Sequence, residues 1–187
     1  MTDENLQTFL LRSGLIQDAD TPHIETLPGG VSSDIWVIRT PKRTFCVKRA
    51  LPTLKTQKAW HAPIERNANE VKWIRTVMTV VPKSVPKIIA EDSKFGIFAM
   101  EYLDPNTYPI WKGQLLGGVI EPQMAGAVGT LLGQIHANTS HNADIAKSFA
   151  NDDIFHALRI EPYLLRTAKE WPEIAHKLEE MAINTAR

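Results

Sequence analysis

The stretch that most constrains this chain is residues 29–48, which read GGVSSDIWVIRTPKRTFCVK. A strand candidate at 24–27 precedes the glycines, and an alternating run at 34–39 follows them. Pro41 then begins a turn into a third strand at 44–48. The pattern predicts a three-stranded antiparallel meander whose first turn is rich in glycine.

The glycine turn has the chemistry of an anion site. Gly29 and Gly30 let the backbone approach a ligand closely, because neither residue carries a side chain. Ser32 and Ser33 add hydroxyl and amide donors that can hold phosphate oxygens. We therefore expect the phosphates of a nucleotide to lie beneath this turn.

Strand alternation places a lysine on the inner face of the sheet. Lys48 shares its face with Cys46, whereas Phe45 and Val47 share the other face and are expected in the core. An inward-pointing ammonium needs an anionic partner such as a carboxylate or a phosphate. The partner should therefore lie on an element that packs against the sheet.

A glutamate on the next helix is the candidate partner. The helix is predicted over residues 63–80, and Glu70 shares a stripe with apolar residues at helical spacing. We predict that Glu70 pairs with Lys48, because a carboxylate on a buried stripe needs a cation. The alternative is that Glu70 lies at the edge of the stripe and is solvated. The apolar members of the stripe are Ile74, Val77, Met78 and Val81.

The remaining pattern divides the chain into two parts. Two further strands at 88–90 and 95–103 complete a five-stranded sheet, and no strand is predicted after them. The predicted helices lie at 4–13, 63–80, 122–138, 152–158, 162–169 and 172–185. This α+β arrangement predicts a small lobe at 1–103, a hinge or linker at 104–110 and a helical lobe at 111–187.

Composition narrows the classes of partner. The chain has 187 residues, with 21 basic and 21 acidic side chains and no run of like charge, so neither nucleic acid nor a membrane surface is expected as a partner. Its one cysteine excludes an intrachain disulfide. The start MTDENLQTF lacks the features of a secretory signal, and no apolar run reaches the roughly 18 residues that span a bilayer. The expected compartment is the reducing cytoplasm.

Taken in order, the glycine turn, strand lysine, helix glutamate and closing strand resemble the small lobe of the protein-kinase-like fold. The segment FAMEYL at 98–103 resembles the kinase hinge. The resemblance implies that Met100 is the gatekeeper, and that the C=O of Glu101 and the N–H of Leu103 bond adenine. Cys46, on the Lys48 face, would then line the roof over the base.

The details resemble the aminoglycoside phosphotransferase family, which includes choline and methylthioribose kinases. GGVSSDIWVI replaces the protein-kinase turn, and the stretches at 131–137 and 155–168 also resemble this family. The resemblance implies ATP as cosubstrate, a small hydroxylated acceptor, and Mg2+ in the complete enzyme. It makes Lys48 the ligand of the α- and β-phosphates and Glu70 its anchor. Residues assigned to the phosphate loop are Gly29, Gly30, Ser32 and Ser33.

The aspartates that this family uses for catalysis and metal binding are not found. The sequence around His141 and Asp144 lacks the spacing of an HxDxxxxN loop, and Asp18 and Asp20 precede the sheet. We therefore expect an N-terminal portion of a kinase that is inactive alone and that self-associates through uncovered helix faces at 164–181. The alternative is a non-catalytic nucleotide-binding or interaction protein. No catalytic or metal-binding residue is assigned, since the histidines show no metal-ligand spacing.

Overall fold

The computed structural model describes residues 3–28 and 30–186. Its architecture is α+β, with a five-stranded antiparallel sheet in the first half and helices in the second. The strands are β1 (His23–Thr26), β2 (Ser33–Arg39), β3 (Thr44–Ala50), β4 (Ile88–Asp92) and β5 (Ile97–Glu101). Their spatial order is β1-β2-β3-β5-β4. The predicted meander is confirmed.

The last strand, β5, is shorter than the sequence predicted. Strand character begins at Ile97 rather than at Phe95, because Gly96 adopts a φ of 57° in the turn that follows β4. The N–H of Gly96 donates to the carbonyl of Ser93 at 3.2 Å, which closes that turn. The strand also ends at Glu101, two residues before its expected end at 103.

One face of the sheet is covered by helix α1 (Glu4–Arg12). Asp3 caps this helix, and its carboxylate accepts hydrogen bonds from the first-turn N–H groups. The helix buries its apolar stripe against Phe45 and Val47, which are fully buried as their strand parity predicted. The stripe consists of Leu6, Phe9 and Leu10.

The opposite face is covered by helix α2 (Arg66–Val80). Val71 and Ile74 of this helix pack on Phe98 of β5. The helix begins three residues later than predicted, because residues 64–65 form a separate turn before it. Helix α2 therefore presents one side to the sheet face that carries Lys48.

The second half contains only helices among its described residues. They are α3 (Trp111–Leu116), α4 (Pro122–Thr139), α5 (Ala143–Ser148), α6 (Asp152–Phe155), a π-helical segment (His156–Leu165), α7 (Arg166–Glu170), a 3-10 turn (Pro172–Ile174) and α8 (Ala175–Thr185). The two short helices α3 and α5 were not predicted. No described helix is both long and apolar enough to span a bilayer.

The predicted helices at 152–158 and 162–169 form one continuous helical stretch, and Pro162 lies inside its π-helical segment. A π-helix bonds each N–H to the carbonyl five residues earlier, and proline has no N–H to donate. Because Pro162 has no N–H, the carbonyl of Ala157, five residues earlier, lacks its helical donor. It accepts instead from the indole N–H of Trp60 at 3.0 Å. This bond joins the sheet half to the helical half.

Candidate functional site

The predicted ion pair is present at the centre of the inner sheet face. Lys48 Nζ lies 2.7 Å from both Oε1 and Oε2 of Glu70. The two side chains are 20% and 37% exposed, so Glu70 lies at the edge of the buried stripe, yet it is paired. The pairing prediction is confirmed, and the edge position and partial exposure of Glu70 agree with the alternative in that respect.

The strand register arranges further predicted residues around this pair. Lys48 lies opposite Phe98, and Cys46 lies opposite Met100. Because side chains two residues apart share a face, these four side chains lie on the α2 side of the sheet. The sheet and α2 therefore bring Cys46, Lys48, Glu70 and Met100 to one surface.

The thiol of Cys46 is buried on this surface. Burial raises its pKa, and the positive charge of Arg39 offsets only part of that effect. A raised pKa keeps the thiol protonated near neutral pH, so Cys46 is a poor nucleophile. Its position suits a group that packs against a ligand.

The glycine turn is described from Gly30 onward, and Gly29 lies outside the described residues. A Cβ added at Gly30 would lie 2.6 Å from the backbone oxygen of Ser33, too close for any side chain. Only glycine therefore fits residue 30 in this conformation. Of the two serines, Ser33 is 6% exposed and Ser32 is the more accessible.

The segment after β3 holds the glycine turn in place. The N–H of Leu51 donates to the carbonyl of Ser32 at 3.0 Å, and the N–H of Lys55 donates to that of Val31 at 2.8 Å. The side chain of Lys55 also pairs with Asp34 at 2.7 Å. The hydrogen bonds therefore hold the backbone of the turn, and the ion pair holds the residue with which the turn enters β2.

Asp34 is also held by Arg49, at 2.8 Å. Burial opposes ionisation of Asp34, but the hydrogen bonds from Lys55 and Arg49 outweigh it and lower the pKa of the carboxyl group. The carboxylate is therefore charged over the physiological range. Its role is to anchor the start of β2 beside the turn.

The hinge segment leaves the sheet at the end of β5, an inner strand between β3 and β4. The N–H of Glu101 donates to the carbonyl of Lys87 at 2.9 Å, so the hydrogen bond of this amide is made within the sheet half. The side chain of Leu103 is 40% exposed beyond the strand end. The guanidinium of Arg39 lies 5.6 Å from the ring centroid of Tyr102, which packs the hinge against β2.

Sequence reasoning missed two residues at the start of α2. Asn67 is buried, and its amide donates to the carbonyls of Gly96 and Lys48, the latter at 3.4 Å. Arg66 donates to backbone carbonyls of the turn and of the segment after β3. The helical spacing of Asn67, Val71 and Ile74 marks the asparagine as part of the buried stripe, but no such periodicity marks Arg66.

Metal ligands do not converge within the described residues. Among 3–28 and 30–186, no group of three or more His, Cys, Asp or Glu side chains is arranged to hold a metal ion. The carboxylate nearest to Lys48 is that of Glu70, and Lys48 already engages both of its oxygens. We assign no Mg2+ ligand to the described part of this chain.

Comparison with known proteins gives one consistent similarity, and no protein-family model matches. The chain is 26% identical over 165 residues to the methylthioribose kinase of Geobacillus thermodenitrificans, a match that covers 82% of this chain and 41% of that protein. It is 26% identical over 142 residues to the Escherichia coli O45:K1 enzyme of the same name, covering 68% and 33%. A third, from Geobacillus sp. WCH70, is 24% identical over 164 residues, covering 82% and 40%.

The two Geobacillus matches each cover 82% of this chain, so each includes parts of both the sheet half and the helical half. The chain spans about two fifths of the length of the Geobacillus relatives it matches. Their name describes kinases of a small molecule. The chain is therefore similar in sequence to proteins named methylthioribose kinase, and its five-stranded antiparallel sheet followed by helices is compatible with a kinase-like small lobe.

Proposed function

We propose that this chain provides the nucleotide-binding side of an ATP-dependent phosphotransferase that acts on a hydroxyl group of a small molecule. The observation that carries the proposal is the contact of Lys48 Nζ with both oxygens of Glu70. An ammonium group has three N–H donors, and the carboxylate engages two of them. The third remains for a phosphate oxygen, while Glu70 holds the ammonium in place.

The glycine turn supports the same assignment. Within the turn, Gly30 permits a tight backbone conformation, and Ser32 is partly accessible to solvent. Backbone N–H groups in such a turn bind anions without a formal charge of their own. In this proposal Gly29, Gly30, Ser32 and Ser33 hold the phosphates, and Lys48 bonds the α- and β-phosphates.

At the other end of the surface, the hinge would receive the adenine. Met100 lies directly across from Cys46, so the base would lie between the Cys46 roof and the segment that follows β5. The C=O of Glu101 and the N–H of Leu103 are the proposed adenine contacts. Backbone groups read the edge of the base regardless of the side chains they carry.

The acceptor is proposed from the relatives. All three are named methylthioribose kinase, so methylthioribose is the first acceptor to test, with choline and aminoglycosides as the other candidates. The described residues assign no acceptor-activating aspartate. Phosphoryl transfer also requires Mg2+, which neutralises the phosphates when bound.

The test of nucleotide binding is calorimetric titration of the chain with ADP and with adenosine. We expect Lys48→Met to abolish the advantage of ADP over adenosine, since only ADP carries phosphates. Lys42→Met, in the exposed turn between β2 and β3, is the matched control and should leave both affinities unchanged. An ADP affinity that Lys48→Met does not alter contradicts the proposed site.

A second function, that of a non-catalytic interaction protein, is supported by the apolar surface of the helical half. Leu116 is 81% exposed, Ile120 is 75% exposed and Ile110 is 71% exposed. Exposed apolar surface on this scale is typical of an interface. ADP titration distinguishes the two functions, because the phosphotransferase proposal requires ADP binding that depends on Lys48, whereas an interaction protein that uses only the apolar surface requires none.

A further inference from the structure

The guanidinium of Arg66 binds four backbone carbonyls at the start of α2. Its Nη1 donates to Ala62 at 3.0 Å and to Pro63 at 2.7 Å, within the turn that precedes the helix. Its Nη2 donates to Ser32 at 2.6 Å and to Leu51 at 2.6 Å. One side chain therefore joins α2 to the glycine turn and to the segment after β3.

These bonds fix the glycine turn at a point where its backbone has little freedom. The Ser32 carbonyl accepts from Arg66 and also from the N–H of Leu51, at 3.0 Å. The next residue, Ser33, already lies so close to Gly30 that no side chain fits there. A displacement of Arg66 would therefore move the turn as a unit.

The charge of Arg66 is not neutralised by direct contact. In the described part of the chain no carboxylate oxygen lies within salt-bridge distance of its guanidinium, and the four partners are neutral carbonyls. Burial lowers the pKa of Arg66, while the charges of Glu70 and Glu65 act in the opposite direction. Arginine titrates so far above neutrality that the group remains a cation.

We propose that Arg66 is a positioning residue for phosphate binding. It holds residues 30–33 at a fixed distance from α2, and it adds a permanent positive potential behind the turn. This inference rests on the proposed nucleotide site. Lysine could not replace it, because a single ammonium on a flexible stem cannot reach four carbonyls that the planar guanidinium bonds together.

The test compares ADP and adenosine binding in Arg66→Lys. Lysine keeps the charge and loses the bond geometry, so we expect ADP affinity to fall about tenfold, the equivalent of one hydrogen bond to a charged group. Adenosine affinity should not change. Arg75→Lys is the matched control, since Arg75 lies on the exposed side of α2 and pairs with Glu91 at 2.7 Å.

A second measurement needs no ligand. The amides of Leu51 and Lys55 donate to carbonyls of the glycine turn, so their hydrogen-exchange rates report whether the turn stays docked. Arg66→Lys should accelerate both amides, and Arg75→Lys should not. Melting temperatures verify folding first, and Arg66→Gln, which keeps a neutral amide with two N–H donors, is used if the lysine variant does not fold.

The outcomes separate this inference from the proposed function. A selective loss of ADP affinity together with faster exchange supports it. Unchanged exchange, or an equal loss of ADP and adenosine affinity, overturns it. If the unmodified chain binds neither ligand, the proposed nucleotide site fails, and the exchange rates still decide whether Arg66 positions the turn.

Discussion

Lys48 and Glu70 form a two-oxygen ion pair, with the ammonium 2.7 Å from each carboxylate oxygen, and the pair connects β3 to α2 across the inner face of the sheet. The contact fixes the helix relative to the strand. Lys48 lies on the same face of β3 as Cys46, which lies opposite Met100 on β5. In the proposed nucleotide site, Glu70 would hold the lysine in place before a ligand binds.

The first prediction concerns the energy of this pair. Glu70→Gln should lower the free energy of unfolding by about 1–2 kcal/mol, less than the loss of a fully buried pair because both side chains are partly exposed. Denaturant unfolding measures the change. Glu65→Gln, at an exposed position before the helix, is the control and should be nearly neutral. A glutamine variant as stable as the unmodified chain would show that the pair contributes no net stability.

The second prediction concerns the single cysteine. Because burial raises the pKa of Cys46, a thiol reagent at pH 8 should react with it more slowly than with a free thiol. Saturating ADP should slow the reaction further, since the base would cover the thiol. The readout is the rate of labelling with a chromogenic disulfide. An unchanged rate at saturating ADP contradicts the adenine placement.

The third prediction concerns stability in acid. The pKa of Asp34 is lowered in the folded chain, so its contribution is complete above the ordinary value of 3.8 and is lost as the pH falls through the folded pKa. Asp3, which pairs with Arg49 at 2.7 Å and also has a lowered pKa, acts in the same direction. Thermal melting between pH 5 and about pH 2 should show a steeper decline for the unmodified chain than for Asp34→Asn. Identical slopes would contradict this linkage.

The fourth prediction concerns association. The apolar positions expected to be uncovered at 164–181 are only partly so, because α6 to α8 pack on one another and leave Ile174 and Met181 exposed. The most exposed apolar side chains lie at the end of α3 and in its connection to α4, at Leu116 and Ile120. We expect the chain to bind a hydrophobic dye and to elute as more than a monomer.

Charge substitutions on that surface test the association. Leu116→Lys and Ile120→Lys should reduce both dye fluorescence and the mass measured by light scattering. Ile89→Lys, at an exposed position on β4, is the control. A monomeric chain that binds no dye would contradict the prediction.

The fifth prediction concerns activity. The 187-residue polypeptide alone should transfer no phosphate to methylthioribose, choline or an aminoglycoside, since no aspartate with the required catalytic or metal-binding role has been identified in it. Acceptor-dependent ADP release is the measurement. Turnover that Lys48→Ala abolishes would mean that a described residue performs a catalytic role not assigned above.

The parts of the fold that follow local periodicity were predictable. Alternation in β2 and β3 fixed which side chains face inward, and it placed Lys48 on the side where α2 brings Glu70. The exact ends of β5 were not predictable, because they depend on the conformation of Gly96 and on contacts from α2. Short helices such as α3 lack enough turns to show a period.

The role of Arg66 could not be predicted from the sequence pattern, for a different reason. Its partners are backbone carbonyls at residues 32, 51, 62 and 63, and every residue type supplies a carbonyl. No side-chain pattern can mark such partners in advance. Carboxylate partners differ in this respect, because only Asp and Glu side chains carry them. The pairing of Lys48 with Glu70 could therefore be predicted from residue type and position.

The hydrogen bond from the Trp60 indole to the Ala157 carbonyl follows from the helix irregularity at Pro162, which leaves that carbonyl without a helical donor. Trp60 follows the segment in which the amides of Leu51 and Lys55 bond to the glycine turn. One short stretch of chain therefore contacts both the glycine turn and the helical half. Trp60 thereby links the glycine turn to the helical half, beside the direct contacts of Lys58 with Glu170 and of Lys72 with the Ser148 carbonyl. Substituting Pro162 with alanine would give the Ala157 carbonyl a second donor, the N–H of residue 162, and would weaken its bond to Trp60.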